Sequence, residues 1–285
     1  MPYWQGAVDI APLAGGMTNR NYLVSNANAE KFVVRIGQDL PEHGVMRFNE
    51  LAAARAAFAA GISPEVVFAS QGVLVCRYIE SHTLTPEDIR NPHYLPAIID
   101  LMKRCHRDIP RYIRGPVLAF WVFQVIRNYV SSLSGAANSM LTTELARLAA
   151  MAEQLEQAVG PIQLVFGHND LLAANFLDDG KRLWLIDWDY AGFNSPLFDL
   201  ANLSSNNAFN SAQDQALLHH YFGDQFTESC SRSFAAMKCA SLLRETLWGA
   251  YSAQHSTIDL DYLTRLDDVW NQFQSRKILG SMSHG

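Results

Sequence analysis

One stretch of the chain, residues 164–190, carries most of the polar groups that chemistry would use. It reads LVFGHNDLLAANFLDDGKRLWLIDWDY, and short apolar runs alternate in it with polar loops. Apolar runs of this length, bounded by turn-forming residues, are typical of short strands. The pattern predicts strand, polar loop, strand, turn, strand and acidic loop. It collects four oxygen-bearing side chains at strand ends, namely those of Asp170, Asn175, Asp187 and Asp189.

The spacing of these side chains is typical of phosphoryl transfer with magnesium. His168-x-Asp170-x-x-x-x-Asn175, followed by an apolar strand that ends in Asp187, matches the catalytic and metal-binding loops of kinases. Mg²⁺ prefers hard oxygen ligands, and a further carboxylate can orient a hydroxyl and accept its proton. A single aspartate after a strand is usually a turn former or a helix cap, but this combination indicates a site. His168 is expected to support the loop by hydrogen bonding.

The first 78 residues have the pattern of a small β-rich lobe that binds a nucleotide. They begin with a predicted hairpin whose tip is rich in glycine. Gly15 and Gly16 would let backbone N–H groups approach a phosphate, with help from Thr18 and Asn19. Most Gly-Gly turns only reverse the chain, so the downstream metal site is what favours phosphate binding here.

The clear strand over residues 31–36 predicts a phosphate-binding cation. Strand alternation places Arg35 on the face opposite to both its neighbours. We predict that Arg35 holds the α- and β-phosphates and pairs with Glu50, on a helix predicted over residues 44–60. Lys31 is the competing cation, and a solvated helix position is the alternative for Glu50.

A hinge is expected at about residues 76–82, so that residues 79–285 form a second, mainly helical lobe. Asp199, near the start of a helix that follows the acidic loop, would cap backbone amides and support the catalytic loop. Further helices are predicted near residues 92–108, 117–134, 141–159, 211–222, 231–255 and 259–277.

An aromatic cluster is predicted near the C-terminus. Trp248 and Tyr251 are spaced i, i+3 on one helical face, and Tyr262 lies near the start of the next helix. Aromatic residues at this spacing more often belong to a core than to a binding site. An aromatic pocket beside a carboxylate such as Asp189 is nevertheless what a quaternary ammonium group requires.

Composition excludes several classes of protein. The formal net charge of −6 gives no basic footprint for nucleic acid. The four cysteines include no C-x-x-C pair and are expected to be thiols in a reducing compartment. The chain start lacks the pattern of a signal peptide, and no apolar run reaches transmembrane length. We therefore expect a soluble, cytoplasmic protein with no nucleic-acid partner and no membrane insertion.

Together these segments resemble the choline/ethanolamine kinase branch of the aminoglycoside-phosphotransferase-like kinases. The most specific are HNDLLAANFL, LWLIDWDYAGFNSPLFDLANL and ETLWGAYSA. The resemblance implies an α+β, two-lobed protein-kinase-like fold with a small β-rich N-lobe and a larger, mainly helical C-lobe. It implies that Asp170 is the catalytic base and that Asn175 and Asp187 hold magnesium. It places four residues where the family binds its ammonium substrate, namely Asp189, Trp248, Tyr251 and Tyr262.

The leading hypothesis is an ATP- and Mg²⁺-dependent kinase that acts on the hydroxyl of a small amino alcohol, choline or ethanolamine first. A second hypothesis keeps the reaction and changes the acceptor to an aminoglycoside, thiamine or another cationic alcohol. A third is a non-catalytic nucleotide sensor, because a fold alone does not prove an activity. A homodimer is compatible with each of these hypotheses.

Overall fold

The computed structural model describes residues 3–4, 6–13, 19–135, 139–252, 267–271 and 273–274. The chain divides into two compact units. The first comprises Met1–Leu118 and Phe166–Gly192, and the second Ala119–Val165 and Phe193–Gly285. This division differs from the expected boundary after residue 78, because the segment with the polar loops is bonded to the N-terminal part. For example, the backbone N–H of Leu185 donates to the carbonyl of Ile62 at 3.1 Å.

The first unit contains a five-stranded antiparallel sheet in the order β1-β2-β3-β5-β4. Its strands are β1 (Val8–Leu13), β2 (Arg20–Asn26), β3 (Lys31–Ile36), β4 (Val66–Ser70) and β5 (Val73–Arg77). One face carries the buried cluster of Val24, Phe32, Val34 and Val75. Since side chains alternate along a strand, Arg35 lies on the opposite face, as predicted.

Three helices belong to the same unit: α1 (Arg47–Ala59), α2 (Pro86–Arg90) and α3 (Leu95–Tyr112). Helix α1 begins three residues later than predicted, because Leu40 and Val45 first form a β-bridge. Asp39 then accepts a hydrogen bond from the backbone N–H of Arg47 at 2.7 Å. The N–H groups of a first helical turn have no partner within the helix, and this carboxylate accepts from one of them. The N-cap residue, Met46, provides no side-chain cap.

The segment with the polar loops forms short strands, as predicted. They are β7 (Val165–Gly167), β8 (Phe176–Asp178) and β9 (Leu183–Leu185), and β10 (Gly192–Asn194) follows them. Strands β8 and β9 form a small antiparallel sheet with β6 (His82–Thr83), in the order β6-β8-β9. The loops between these strands therefore start and end at fixed points of the first unit.

The second unit is helical. It contains α4 (Val122–Ser134), α5 (Ser139–Val159), α6 (Pro196–Asn206), α7 (Ser211–Phe222) and α8 (Glu228–Ser252). Helix α8 packs against α4, α5 and α6. The helix predicted over 259–277 is described only at 267–271 and 273–274, which are helical. The expected α+β class, with its strands concentrated in the N-terminal part and its helices in the C-terminal part, is confirmed.

A search of the described helices found none with the length and apolar character that crossing a membrane requires.

Candidate active site

A cavity of about 340 Å³ lies within the first unit and is lined by the predicted site residues Arg35, Glu50, Asn175 and Asp187. Its sheet wall follows from the strand register, in which Asn21 is opposite Arg35 and Arg35 is opposite Leu74. Alternate residues of neighbouring strands share one face, so these side chains converge on the cavity.

Arg35 contacts three carboxylates of this site. Its Nε lies 3.3 Å from Oε1 of Glu50, which is the pairing that the sequence predicts. Its Nη2 lies 2.9 Å from Oδ1 of Asp187 and 3.2 Å from Oδ1 of Asp189. The competing cation, Lys31, is half-exposed and pairs with Glu80 at 2.5 Å. Arg35 is therefore the strand cation that reaches the site.

A second arginine, Arg47, joins the same cluster and was missed by the sequence reasoning. Its Nη1 lies 2.6 Å from Oε2 of Glu50 and 2.9 Å from Oδ1 of Asp189. The i, i+3 spacing of Arg47 and Glu50 on α1 was the available signal. Its other partner, Asp189, is 142 residues away, and local sequence cannot reveal that contact.

The five charged groups of the cluster do not balance, because two arginines face three carboxylates. Burial lowers the pKa of Arg35, but the carboxylates of Asp187, Glu50 and Asp189 outweigh this effect and raise it above its ordinary value. Burial also raises the pKa of the Glu50 carboxyl, against the opposing effect of Arg35. The surrounding carboxylates therefore explain the shift of Arg35, and burial explains the shift of Glu50.

Asp189 occupies a setting different from the one predicted. Its side chain is 4% exposed, and its Oδ2 accepts a hydrogen bond from Nδ2 of Asn19 at 3.1 Å. With the contacts to Arg35 and Arg47, this carboxylate is engaged by groups of the protein itself. These contacts favour a role for Asp189 as an internal partner of the two arginines over the predicted role as counter-ion of a substrate ammonium.

The loop that carries Asp170, between β7 and β8, is held by hydrogen bonds. The backbone N–H of Asp170 donates to Nδ1 of His168 at 3.3 Å, and the Asn175 amide donates to the carbonyl of Asp170 at 2.8 Å. Because Nδ1 of His168 accepts, its Nε2 carries the proton and donates to the carbonyl of Ile186 at 2.9 Å. His168 thus connects the loop of Asp170 with the strand that leads to Asp187.

Asn169 is a second supporting residue of this loop, and it has a φ of 66°. Its Nδ2 donates to the carbonyls of Tyr190 at 3.0 Å and of Gly192 at 3.3 Å. A positive φ in a non-glycine residue is unfavourable and is kept only where surrounding contacts demand it. Helix α1 adds another link, because the buried Asn49 donates to the carbonyl of Ala191 at 2.7 Å.

The donor set fits magnesium. The Asn175 amide nitrogen is used by the Asp170 carbonyl, so the amide oxygen is the atom that would bind a cation. With the carboxylate of Asp187 on the same cavity, it supplies two hard oxygen ligands, which is the number Mg²⁺ commonly takes from a protein when phosphates and water complete its shell. Among the described residues, no group of three or more His, Cys, Asp or Glu side chains could hold a metal by itself.

The predicted hinge forms another wall of the cavity, through Cys76, Tyr78, Ile79 and Ser81. Of the predicted loop residues, Asn19 lies directly before β2 and bonds to Asp189. Three others lie outside the described residues, namely Gly15, Gly16 and Thr18.

The remaining predicted residues belong to the second unit. Trp248 and Tyr251 are half-buried on α8, and the ring of Tyr251 packs on that of Tyr129 at 5.7 Å. Asp199 is buried in the first turn of α6, but the side chain that caps this helix is Ser195, which accepts from Leu197. Tyr262 lies outside the described residues.

Comparison with known proteins agrees with this geometry. The choline/ethanolamine kinase family profile matches residues 10–229. Protein LicA of Haemophilus influenzae is 34% identical over 193 residues, which are 66% of this chain and 56% of that protein. The matched region is thus little more than half of that relative. A probable ethanolamine kinase of Arabidopsis thaliana is 27% identical, over 94% of this chain and 79% of that protein.

A solved structure also matches over most of the chain. It is a choline/ethanolamine kinase family protein from Mesorhizobium loti, with a TM-score of 0.72 and 29% identity, and the match covers 94% of this chain and 87% of that one. The family profile alone spans well over half of the 285 residues. This chain therefore belongs to the choline/ethanolamine kinase family.

Proposed function

We propose that this chain transfers the γ-phosphoryl group of ATP to the hydroxyl of a small amino alcohol, choline or ethanolamine, in the cytoplasm. The observation that carries the proposal is the single cavity that brings Arg35, Glu50, Asn175 and Asp187 together, with the loop of Asp170 bonded to Asn175. These are the parts that phosphoryl transfer uses for phosphate, metal and nucleophile. The family membership supports the class of acceptor.

Asp170 acts as the base that orients the acceptor hydroxyl and takes its proton. Its backbone N–H and carbonyl are both hydrogen-bonded, which fixes the loop that carries the carboxylate. A fixed loop matters because most of the acceleration in phosphoryl transfer comes from positioning and charge stabilisation.

Asn175 and Asp187 would hold Mg²⁺, which would supply positive charge to neutralise the phosphates of the nucleotide. Arg35 faces the same cavity and holds phosphate oxygens of the nucleotide, in the fork geometry of a guanidinium. The hinge segment with Tyr78 and Ile79 lines the cavity and binds the adenine.

Trp248 and Tyr251 bind the cationic end of the acceptor through cation–π attraction. Both are half-buried on α8, and their i, i+3 spacing places them on one helical face. Tyr251 also contacts Tyr129, so this ring is held by a neighbouring helix. We extend the same role to Tyr262.

The test is a coupled assay of ADP formation with choline, ethanolamine, thiamine and kanamycin as acceptors. We expect turnover with choline, ethanolamine or both, and a loss of about 10²–10⁴ in kcat for Asp170→Asn, the usual contribution of general-base catalysis. Asp224→Asn, which changes an exposed carboxylate, is the matched control and should leave kcat unchanged.

Two results would contradict the proposal. Turnover of thiamine or kanamycin without choline or ethanolamine would assign another acceptor. Tight binding of Mg-ATP with no phosphorylated product from any of the four would favour a nucleotide sensor.

A further inference from the structure

We propose that Arg47 is a positioning residue for the nucleotide. It stays paired with both Glu50 and Asp189, so that less free energy is needed to release Arg35 for binding phosphate. The inference rests on the proposed kinase function and assigns a task to a residue outside the expected site set. It is carried by the contacts of the two arginines, which share two carboxylates and differ in the third.

Arg47 is held firmly by hydrogen bonds from its backbone and from its guanidinium. Its backbone N–H donates to Asp39 at 2.7 Å, and its Nε donates to the carbonyl of Gln38 at 2.9 Å. Its Nη1 binds both Glu50 and Asp189, and its Nη2 lies 3.5 Å from Oδ2 of Asp189. A guanidinium fixed at its backbone, its Nε and both Nη atoms is preorganised and has no freedom to follow a ligand.

The two arginines face different groups of the site. Arg35 and Arg47 take opposite oxygens of Glu50, because Oε1 faces Arg35 and Oε2 faces Arg47. They share Oδ1 of Asp189. Only Arg35 has a contact with Asp187, and only Arg35 of the two lines the 340 Å³ cavity. The two cations therefore have different positions, Arg35 toward the ligand and Arg47 behind it.

The charges of the cluster explain why a second arginine is needed. With Asp187 as a metal ligand and Arg35 on a phosphate, the side chains of Glu50 and Asp189, each 4% exposed, would keep Arg47 as their common cation. Without Arg47, two buried carboxylates would hold Arg35 for themselves and compete with the phosphate. An unpaired buried charge is costly, so the competition would be strong. Arg47 thus lowers the free energy of releasing Arg35.

The test measures nucleotide binding directly, by calorimetry with a non-hydrolysable Mg-ATP analogue, beside ADP formation with choline and ethanolamine. Arg47→Met keeps the length of the side chain and removes its charge. We expect a dissociation constant at least about tenfold higher, within the range of coupling energies between contacting groups. The KM for ATP should rise by a similar factor, while the KM for the acceptor changes less than twofold.

A double variant separates charge neutralisation from a merely structural role. In the background of Asp189→Asn, one of the two carboxylates is already neutral. The additional effect of Arg47→Met on nucleotide binding should therefore shrink to about threefold or less. An effect of undiminished size in that background would overturn the inference, because it would show that Arg47 does not act through the charge of Asp189.

Arg107→Met is the matched control, since Arg107 forms a surface ion pair with Asp108 at 2.7 Å. This variant should leave the dissociation constant of the nucleotide unchanged. If Arg47→Met does not fold, Arg47→Lys carries the test. A single ammonium cannot reproduce the fork, so nucleotide binding should weaken by about threefold or more. Unchanged nucleotide binding in the folded Arg47 variant would overturn the inference.

Failure of this inference and failure of the proposed function are distinguishable. If the wild type binds the nucleotide analogue but phosphorylates neither choline nor ethanolamine, the proposed function fails and the binding comparison still decides the role of Arg47. If the wild type does not bind the nucleotide at all, both are overturned.

Discussion

Glu50 is an acid whose pKa is raised although two arginines contact it. Burial is the largest cause, and it outweighs the lowering effects of Arg35 and Arg47. A carboxyl whose pKa is higher in the folded than in the unfolded state favours folding when it is protonated. This contribution is fully present below the ordinary pKa of about 4.5 and is lost as the pH rises through the folded-state value.

Glu50→Gln should therefore change the pH dependence of stability. Glutamine resembles the protonated acid, so the variant lacks the loss that the wild type suffers as the pH rises. We expect the difference in Tm, variant minus wild type, to increase from pH 4.5 toward pH 8. Thermal unfolding followed by circular dichroism in matched buffers measures it. A difference that stays constant over this interval would show that the Glu50 carboxyl has an unshifted pKa.

Asp189→Asn and Trp248→Ala should separate the two ends of the reaction. The carboxylate of Asp189 is engaged by Arg35, Arg47 and Asn19, so its loss should change the dissociation constant of the acceptor by less than about twofold. Trp248→Ala removes a cation–π partner worth about 0.5–2 kcal/mol. The dissociation constant of the acceptor should therefore increase by about two- to thirtyfold. Calorimetry with choline and ethanolamine measures both. A larger increase in this dissociation constant for Asp189→Asn than for Trp248→Ala would favour the predicted role of Asp189 as counter-ion of the substrate ammonium.

At the scale of elements, the catalytic loop and the acidic loop are joined by side-chain bonds to backbone carbonyls. His168 bonds to Ile186, and Asn169 bonds to Tyr190 and Gly192. The rings of His168 and Trp188 also lie 4.7 Å apart, between centroids. These contacts couple the position of Asp170 to that of Asp187, so a change in either loop should affect both.

Asn169 allows this coupling to be measured. Asn169→Ala removes the amide donor and places an alanine at a φ of 66°. We expect a loss of about 2–4 kcal/mol in unfolding free energy, from unsatisfied buried carbonyls and left-handed strain, together with a lower kcat. Asn169→Gly loses the same bonds without the strain and should be less destabilised. Urea unfolding of both variants measures the free energies. An alanine variant more stable than the glycine variant would contradict the role of backbone strain.

The elements that local pattern determines were predicted well, and those set by distant contacts were not. Strand β3 matches the predicted residues 31–36, because alternation and β-branched residues fix it locally. Strand β4 was missed, because its sequence follows Pro64 and lacks clear alternation. Helix α3 continues through Pro110 to Tyr112, beyond its predicted end.

The candidate site shows the same division between local and distant information. The pair of Arg35 and Glu50 could be predicted, because strand facing and the position of the next helix determine it. The contacts of Asp189 with Arg35 and Arg47 could not be predicted, because they join residues more than 140 positions apart in the chain. For Arg47 the sequence offers only the i, i+3 spacing to Glu50, since its contact with Asp189 exists only in the folded chain.

At the scale of the molecule, each of the two units carries a cysteine whose reactivity can report on it, half-buried in the first unit and buried in the second. Cys76 lies on β5 and lines the cavity of the first unit, and Cys239 lies on α8 in the second. Burial raises the pKa of Cys76 to about 12 and that of Cys239 to about 12. At pH 8 only about one thiol in ten thousand is then a thiolate, which is the reactive form. Modification of either should be slow in the native protein.

A bound nucleotide should slow the modification of Cys76 more than that of Cys239. The ligand would fill the cavity that Cys76 lines and would stabilise the first unit by about 2.7 kcal/mol at 100 times its dissociation constant. Through local opening, this corresponds to about a hundredfold slower reaction of Cys76. The reaction of Cys239, in the other unit, should slow by less than about threefold if the units open separately.

Iodoacetamide labelling at pH 8 with a non-hydrolysable Mg-ATP analogue, followed by mass spectrometry of the two cysteine peptides, measures both rates. Equal slowing of the two thiols would show that they become reactive only when the whole chain unfolds, and no slowing of Cys76 would place the nucleotide outside this cavity.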